Sequence, residues 1–231
     1  MSDVSSKSIR KRSAGPLPGA GGGLLVHFDP NFRKKAVGRL LEFLNSVIEP
    51  SEEQTASAGS LEEEVNALRR QRPKINVRET GVNDNILIQM DKNICPLELA
   101  SKAVVFAKNM GISPSPHVTK LLPVQATSTV SAYAIAQAAE PLIHDSMRSF
   151  KGSFAIVWRR RCSETADRQK IIDAVVAIVQ KFAPDATVEL DDPDVAILVE
   201  VLKTTSYISV LPQWAEMSRY NMLTASKGDK S

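Results

Sequence analysis

Three consecutive arginines, Arg159, Arg160 and Arg161, close the stretch "GSFAIVWRRR" at residues 152–161. A guanidinium presents a planar fork of donors that matches phosphate oxygens in bidentate geometry. Arg168 and Lys170 follow at the start of a helical pattern, and Lys203 sits between two strand-like runs. Cations are mildly unfavourable at a helix N-terminus, whose free N–H groups instead attract anions. Crowding Arg and Lys there makes sense where a polyanion arrives, although Asp167 supplies a helix-start carboxylate and softens the argument. "SRYN" at 218–221 joins a cation, a ring and an amide. Tyr220 is suited to stack on an unpaired base, Arg219 to meet a phosphate and Asn221 to read a base edge. The plainer alternatives are a solvated strand end for the arginines, a core position for Tyr220 and a turn-capping role for Asn221.

Other chemistries find little support. His27, His117 and His144 are scattered without metal-ligand spacing. Asp191, Asp192 and Asp194 surround Pro193, which reads as a turn before a strand. Glu200 is unusual inside the apolar run "LVEVL" and is expected to face solvent or pair with a basic neighbour. The glycines at 19 and 21–23 lack the preceding strand that a phosphate-cradling loop requires. Two distant cysteines, Cys95 and Cys162, make neither a disulfide framework nor a thiolate zinc site, and they fit a reducing compartment. No metal, cofactor or catalytic nucleophile is expected. No apolar run is long enough to span a bilayer. The net charge of +3 is too small to decide for a nucleic-acid partner, so that case rests on local clustering.

The elements that must position these residues follow from periodicity. Residues 1–21 form a Ser-, Gly- and Lys/Arg-rich basic tail expected to be disordered. Its "KSIRKR" fits a nuclear address, a phosphate-seeking tail or, as a short basic cluster, neither; the nucleus or nucleolus is the expected location, with the cytoplasm also open. "GLLVHF" (23–28) reads as a strand, and "DPNFRKKAVGRLLEFLNSVI" as a helix with Asp29 as cap. Residues 50–72 are acidic and small-residue-rich, expected as a mobile insertion with a short helix near Leu61–Leu68. "KINVRET" and "NILIQMD" read as strands, "PLELASKAVVFAKNMG" as a helix and "HVTKLLPV" as a strand. The order is β-α-β-β-α-β, a split βαβ pattern of ferredoxin-like type over 22–123. The second half, 124–223, opens with "STVSAYAIAQAAEPLIHDSM", mostly helical and broken at Pro141. In the strand that follows, Phe154, Ile156 and Trp158 share one face and the arginines gather where it leaves the sheet. "DRQKIIDAVVAIVQKF" is the clearest amphipathic helix, followed by strands "TVEL", "VAILVEVL" and "SYISVL". Residues 224–231 are expected to be a disordered tail.

"FAIVWRRR", "DRQKIIDAVVAIV", "VELDDPDVAILVEVLKTTSYISV" and "SRYNM" together resemble a THUMP domain, a tRNA-binding module. "ETGVNDNILIQM" followed by "PLELASKAVVFAK" is similar to the segment that precedes THUMP in the eukaryotic and archaeal adaptors of tRNA cytidine acetylation. The resemblance covers roughly residues 22–223. It implies an α+β protein with an N-terminal ferredoxin-like domain followed by a THUMP domain. It also implies a non-catalytic adaptor that presents serine- and leucine-type tRNA to a separate RNA cytidine acetyltransferase making N4-acetylcytidine in the D-arm. The expected grip is on the acceptor stem and the 3′ CCA end. Two positions depart from the family pattern. Cys162 stands where Asn is frequent, and Asp192-Pro193-Asp194 replaces Asn-Pro-Asp. Other THUMP proteins carry an enzymatic domain after the module, whereas only a short tail follows here, so the resemblance implies a binder. The rivals are a stand-alone acyl-transfer or hydrolytic enzyme and a protein-interaction scaffold.

Overall fold

Six consecutive buried residues, Gly23–Phe28, form strand β1 at the centre of a four-stranded sheet. The computed structural model describes residues 22–48 and 75–228, so the basic tail, the acidic insertion and its expected short helix lie outside the described residues. After β1, Asp29 accepts a hydrogen bond from the Asn31 N–H and starts a 3-10 turn over Pro30–Phe32. Helix α1 (Arg33–Val47) then buries Ala36, Leu40 and Leu44, one residue per turn. Strands β2 (Ile75–Glu79) and β3 (Asn85–Met90) form a hairpin. Helix α2 (Pro96–Met110) stops at Gly111, whose left-handed φ of 65° only glycine adopts without cost. Strand β4 (Val118–Val124) returns to β1. The sheet order is β2-β3-β1-β4, antiparallel at every pairing.

The second unit comprises β5 (Ala126–Thr129), α3 (Ala132–Met147), β6 (Ser153–Arg161), α4 (Arg168–Phe182), β7 (Thr187–Val188), β8 (Val195–Leu202) and β9 (Thr205–Pro212). Its sheet order is β5-β9-β8-β6-β7, with β6 parallel to β8 and β7 and the remaining pairs antiparallel. Every residue of β8 is buried, because this sheet is covered on both sides. Ile197, Val199 and Val201 pack with Ile135, Ile143, Val175 and Val179 of α3 and α4. Ala196, Leu198 and Leu202 point the other way, into the core of the first unit. The two units therefore share one hydrophobic core, and the second sheet is the middle layer.

Three features differ from the sequence expectation. Helix α3 runs unbroken through Pro141, and β5 precedes it as a short edge strand. Pro141 and Gln137, whose carbonyl loses its N–H partner, both lie on the exposed side, where water satisfies the oxygen. The stripe Ile135, Ala139, Ile143 and Met147 holds the helix together. Pro141→Ala restores that hydrogen bond and should raise stability by about 1 kcal/mol, since Pro is disfavoured by roughly 3 kcal/mol in an isolated helix interior. A urea midpoint equal to or below wild type would refute this. At the other end of the chain, residues 224–227 of the expected disordered tail belong to helix α5 (Met222–Lys227), which buries Met222 and Ala225 and packs on α2 and β4 of the first unit, while 229–231 lie outside the described residues.

Candidate nucleic-acid interface

Strand β6 does not leave the sheet before its arginines. Arg159, Arg160 and Arg161 pair in register with Glu200, Val201 and Leu202 of β8. Strand alternation therefore divides the triplet between two faces. Arg160 turns to the helical side and donates to the Ala166 carbonyl at 3.3 Å. Arg159 and Arg161 turn to the first unit. There Arg161 pairs with Asp84 of the β2–β3 turn, and the Arg159 guanidinium lies 4.0 Å from the Glu200 carboxylate.

Glu200 is fully buried, and its other oxygen lies 3.2 Å from Nε2 of the buried His27 on β1. This is the basic pairing the sequence left open, and it spans the two units. Around it lies a cleft of about 430 Å³ lined by His27, Asp84, Lys120, the three arginines and Glu200. Lys120, opposite His27 in the β1–β4 register, was not suggested by any local pattern. Burial first, and then the Arg159 charge, lower its pKa to about 8.

The exposed cations collect at one end of the second sheet. Arg161 ends β6, and Lys203 lies in the adjoining β8–β9 turn, its backbone N–H bonded to the Arg161 carbonyl at 3.0 Å. The Lys203 side chain rests against Gly81, where a Cβ would stand 3.0 Å from Nζ. Gly81 has φ 81°, so the backbone favours glycine there, and a larger residue would push the flexible Lys203 side chain aside. Helix α4 starts at the same end. Asp167 caps it by accepting the Lys170 N–H at 3.3 Å, while Arg168 and Lys170 project into solvent. The Lys170 backbone N–H, and then its side chain, hold the Asp167 carboxyl below its usual pKa. The register places a second helix start beside these groups: Arg161 opposes Leu202, Leu202 opposes Thr205, and Thr205 opposes Thr129 at the end of β5. Two residues on, Ser131 caps α3, and Tyr133 in its first turn is 73% exposed. Thus two helix N-termini, Arg161, Arg168, Lys170, Lys203 and an exposed ring share one sheet end.

"SRYN" does not join this site. Tyr220 has no exposed surface and packs near Trp214, their ring centroids 6.1 Å apart. Its hydroxyl pKa is raised by burial. Base stacking by Tyr220 is therefore excluded in this arrangement, because its ring fills the first unit's core. Asn221 spends its side-chain oxygen on the Leu223 and Thr224 N–H groups as the cap of α5. Arg219 donates to the Asp191 carbonyl at 2.9 Å. The Asp-Pro-Asp turn is structural too. Asp194 accepts from the Ser153 N–H and hydroxyl at 2.7 and 2.8 Å, which lowers its pKa. Both cysteines are free and exposed. Among the described residues no cluster of His, Cys, Asp and Glu is suited to hold a metal, and no helix is long and apolar enough to cross a membrane.

A family model for the THUMP domain matches residues 131–211, which spans α3 to β9. This chain contains a THUMP domain. It is 23% identical to THUMP domain-containing protein 1 of Mus musculus over 153 residues, covering 58% of this chain and 44% of that protein. The Homo sapiens protein gives 23% over 153 residues, with 58% and 43% covered. The chain thus spans less than half the length of the curated relatives it matches. The crystal structure of PH1313 from Pyrococcus horikoshii superposes over 84% of this chain and 56% of its own at a TM-score of 0.53 and 15% identity, which speaks to the fold. The THUMP domain points to RNA binding and to a role in tRNA modification.

Proposed function

We propose that this protein is a non-catalytic adaptor that binds tRNA and presents it to an RNA cytidine acetyltransferase for N4-acetylcytidine formation in the D-arm. The observation that carries the binding half is the single sheet end where α3 and α4 begin among Arg161, Arg168, Lys170 and Lys203. Helix N-termini and exposed cations together suit phosphates, although Arg161 and Lys170 already touch Asp84 and Asp167. The acetylation half rests on the resemblance of residues 79–90 and 96–108 to the segment preceding THUMP in such adaptors. That segment belongs to a first unit we read as ferredoxin-like, a reading supported by its β-α-β-β-α-β order and β2-β3-β1-β4 antiparallel sheet. Serine- and leucine-type tRNAs are the expected cargo on the same ground.

With Tyr220 inside the core, stacking on unpaired 3′ bases falls to Tyr133, whose hydroxyl accepts from the Gln137 amide at 2.7 Å. A tRNA lacking its CCA should bind several-fold more weakly than intact tRNA, since stacking contributes about 1–3 kcal/mol per base. Tyr133→Ala should make the two RNAs nearly equivalent. Titrating both at two salt concentrations tests this, and equal wild-type affinities would remove the single-stranded end from the site. The adaptor role is tested by mass spectrometry of tRNA nucleosides from cells lacking the protein. Unchanged N4-acetylcytidine would sink it, and acetylation by the pure protein with acetyl-CoA and tRNA would make it an enzyme.

A further inference from the structure

We propose that the cleft between the two units seats a phosphate group, with Lys120 as its seat and Arg159 and Arg161 beside it. The proposal rests on the RNA-binding reading and extends it, because it brings the first unit into contact with the same RNA. Each cleft arginine on this face has its own acid: Arg161 has Asp84, and Arg159 has Glu200. Glu200 is further claimed by His27. Lys120 is left without an ion-pair partner among the described residues, although it is half buried. The groups that face it are His27 of β1, Asp84 of the β2–β3 turn, the arginines of β6, Glu200 of β8 and Arg219 of the C-terminal turn.

This arrangement works against the charged form of Lys120. Burial, Arg159, Arg161 and Arg219 all lower its pKa, and only Glu200 opposes them. An apolar side chain would suit the site better in the isolated protein, so the lysine gains nothing for the fold. A phosphate supplies the missing countercharge. Its arrival stabilises the ammonium, so binding takes up a proton wherever free Lys120 is partly neutral. The cleft has room for a phosphate with its attached sugar, and it adjoins the exposed cations through Arg161. The phosphate is either internal to the RNA or the monophosphate at its 5′ end.

The test is tRNA affinity by fluorescence anisotropy at pH 7 and 8.5, with melting curves, for wild type, Lys120→Met and Lys120→Arg. With a free pKa near 8, wild-type affinity should fall about fourfold between these pH values. Lys120→Arg should keep the affinity and lose the pH dependence. Lys120→Met should bind about tenfold more weakly at pH 7 yet melt higher than wild type, an opposition that a purely structural lysine does not produce. If removing the 5′ phosphate reproduces the Lys120→Met loss, the seated group is terminal; if it does not, it is internal. Wild-type affinity in Lys120→Met, or an unchanged pH dependence in Lys120→Arg, overturns the proposal while leaving RNA binding elsewhere intact. Absence of any tRNA binding by wild type would instead overturn the RNA reading. Inorganic phosphate then decides for the cleft: it must raise the melting temperature of wild type above any rise in Lys120→Met, and failure to do so overturns the proposal.

Discussion

A chain carrying Arg168→Glu and Lys170→Glu should bind tRNA at least thirtyfold more weakly than wild type, about 2 kcal/mol or more, and melt within a few degrees of it. Both side chains are exposed in the first turn of α4, and neither belongs to its buried stripe of Ile171, Val175 and Val179. Carboxylates in a first helical turn are favoured by about 0.3–1 kcal/mol each. Against that stand the lost Asp167–Lys170 ion pair, which is exposed and screened by solvent, and a new repulsion with Asp167. The balance for the fold is near zero, so a loss of binding cannot be blamed on unfolding. For RNA the change takes two cations away from the phosphates and puts two anions in their place. The salt slope should therefore fall by roughly 0.7–0.9 for each phosphate no longer neutralised. Wild-type affinity and salt slope in the double variant would place the interface elsewhere.

The fold was legible wherever one face of an element is apolar. Phe154, Ile156 and Trp158 gave β6 by alternation, and they do share the helical side of the second sheet. The α4 stripe and the Gly111 cap were equally plain. Strand β5 was missed because "ATST" is a short polar edge strand whose partner, β9, lies some eighty residues away. Helix α5 was missed because six residues are too few to show a period. For the candidate site, residue type was readable and partnership was not. Nothing local tells that Arg159 and Arg161 face another unit while Arg160 does not, since this depends on which face of the sheet that unit covers. Lys120 carries no signal of its own, because its neighbours come from five other segments. The two tyrosines show the same limit. Tyr220 beside Arg219 reads as a recognition motif, yet Trp214 and Met222 nearby belong to the same core. Tyr133 sits off the Ile135–Ala139–Ile143 stripe, and that spacing was a usable sign of exposure.

Arg159 should prove more important to the fold than to any single phosphate. Arg159→Ala is expected to cost about 3 kcal/mol of stability, at the low end of what breaking a buried ion pair costs. Glu200 has no exposed side-chain surface, and neither of its oxygens has a partner in hydrogen-bond geometry. Its carboxylate is met by proximity alone, by His27 Nε2 at 3.2 Å, by the Arg159 guanidinium at 4.0 Å and by Lys120 in the same cleft. Taking Arg159 away leaves the buried carboxylate with only the His27 imidazole and the half-buried Lys120 beside it. The cost is moderated because the Arg159 side chain is 26% exposed and the pair is long. Adding Glu200→Gln removes the orphaned charge, so the double variant Arg159→Ala/Glu200→Gln should recover at least half of the loss. Urea denaturation of wild type, both single variants and the double variant gives the coupling directly. Neutralising all three arginines together would mix this effect with any loss of RNA binding, which makes the single substitution the cleaner measurement. A coupling energy near zero would release Arg159 from its structural role. It would then be a partly buried cation of the cleft, free to meet phosphate without cost to the core.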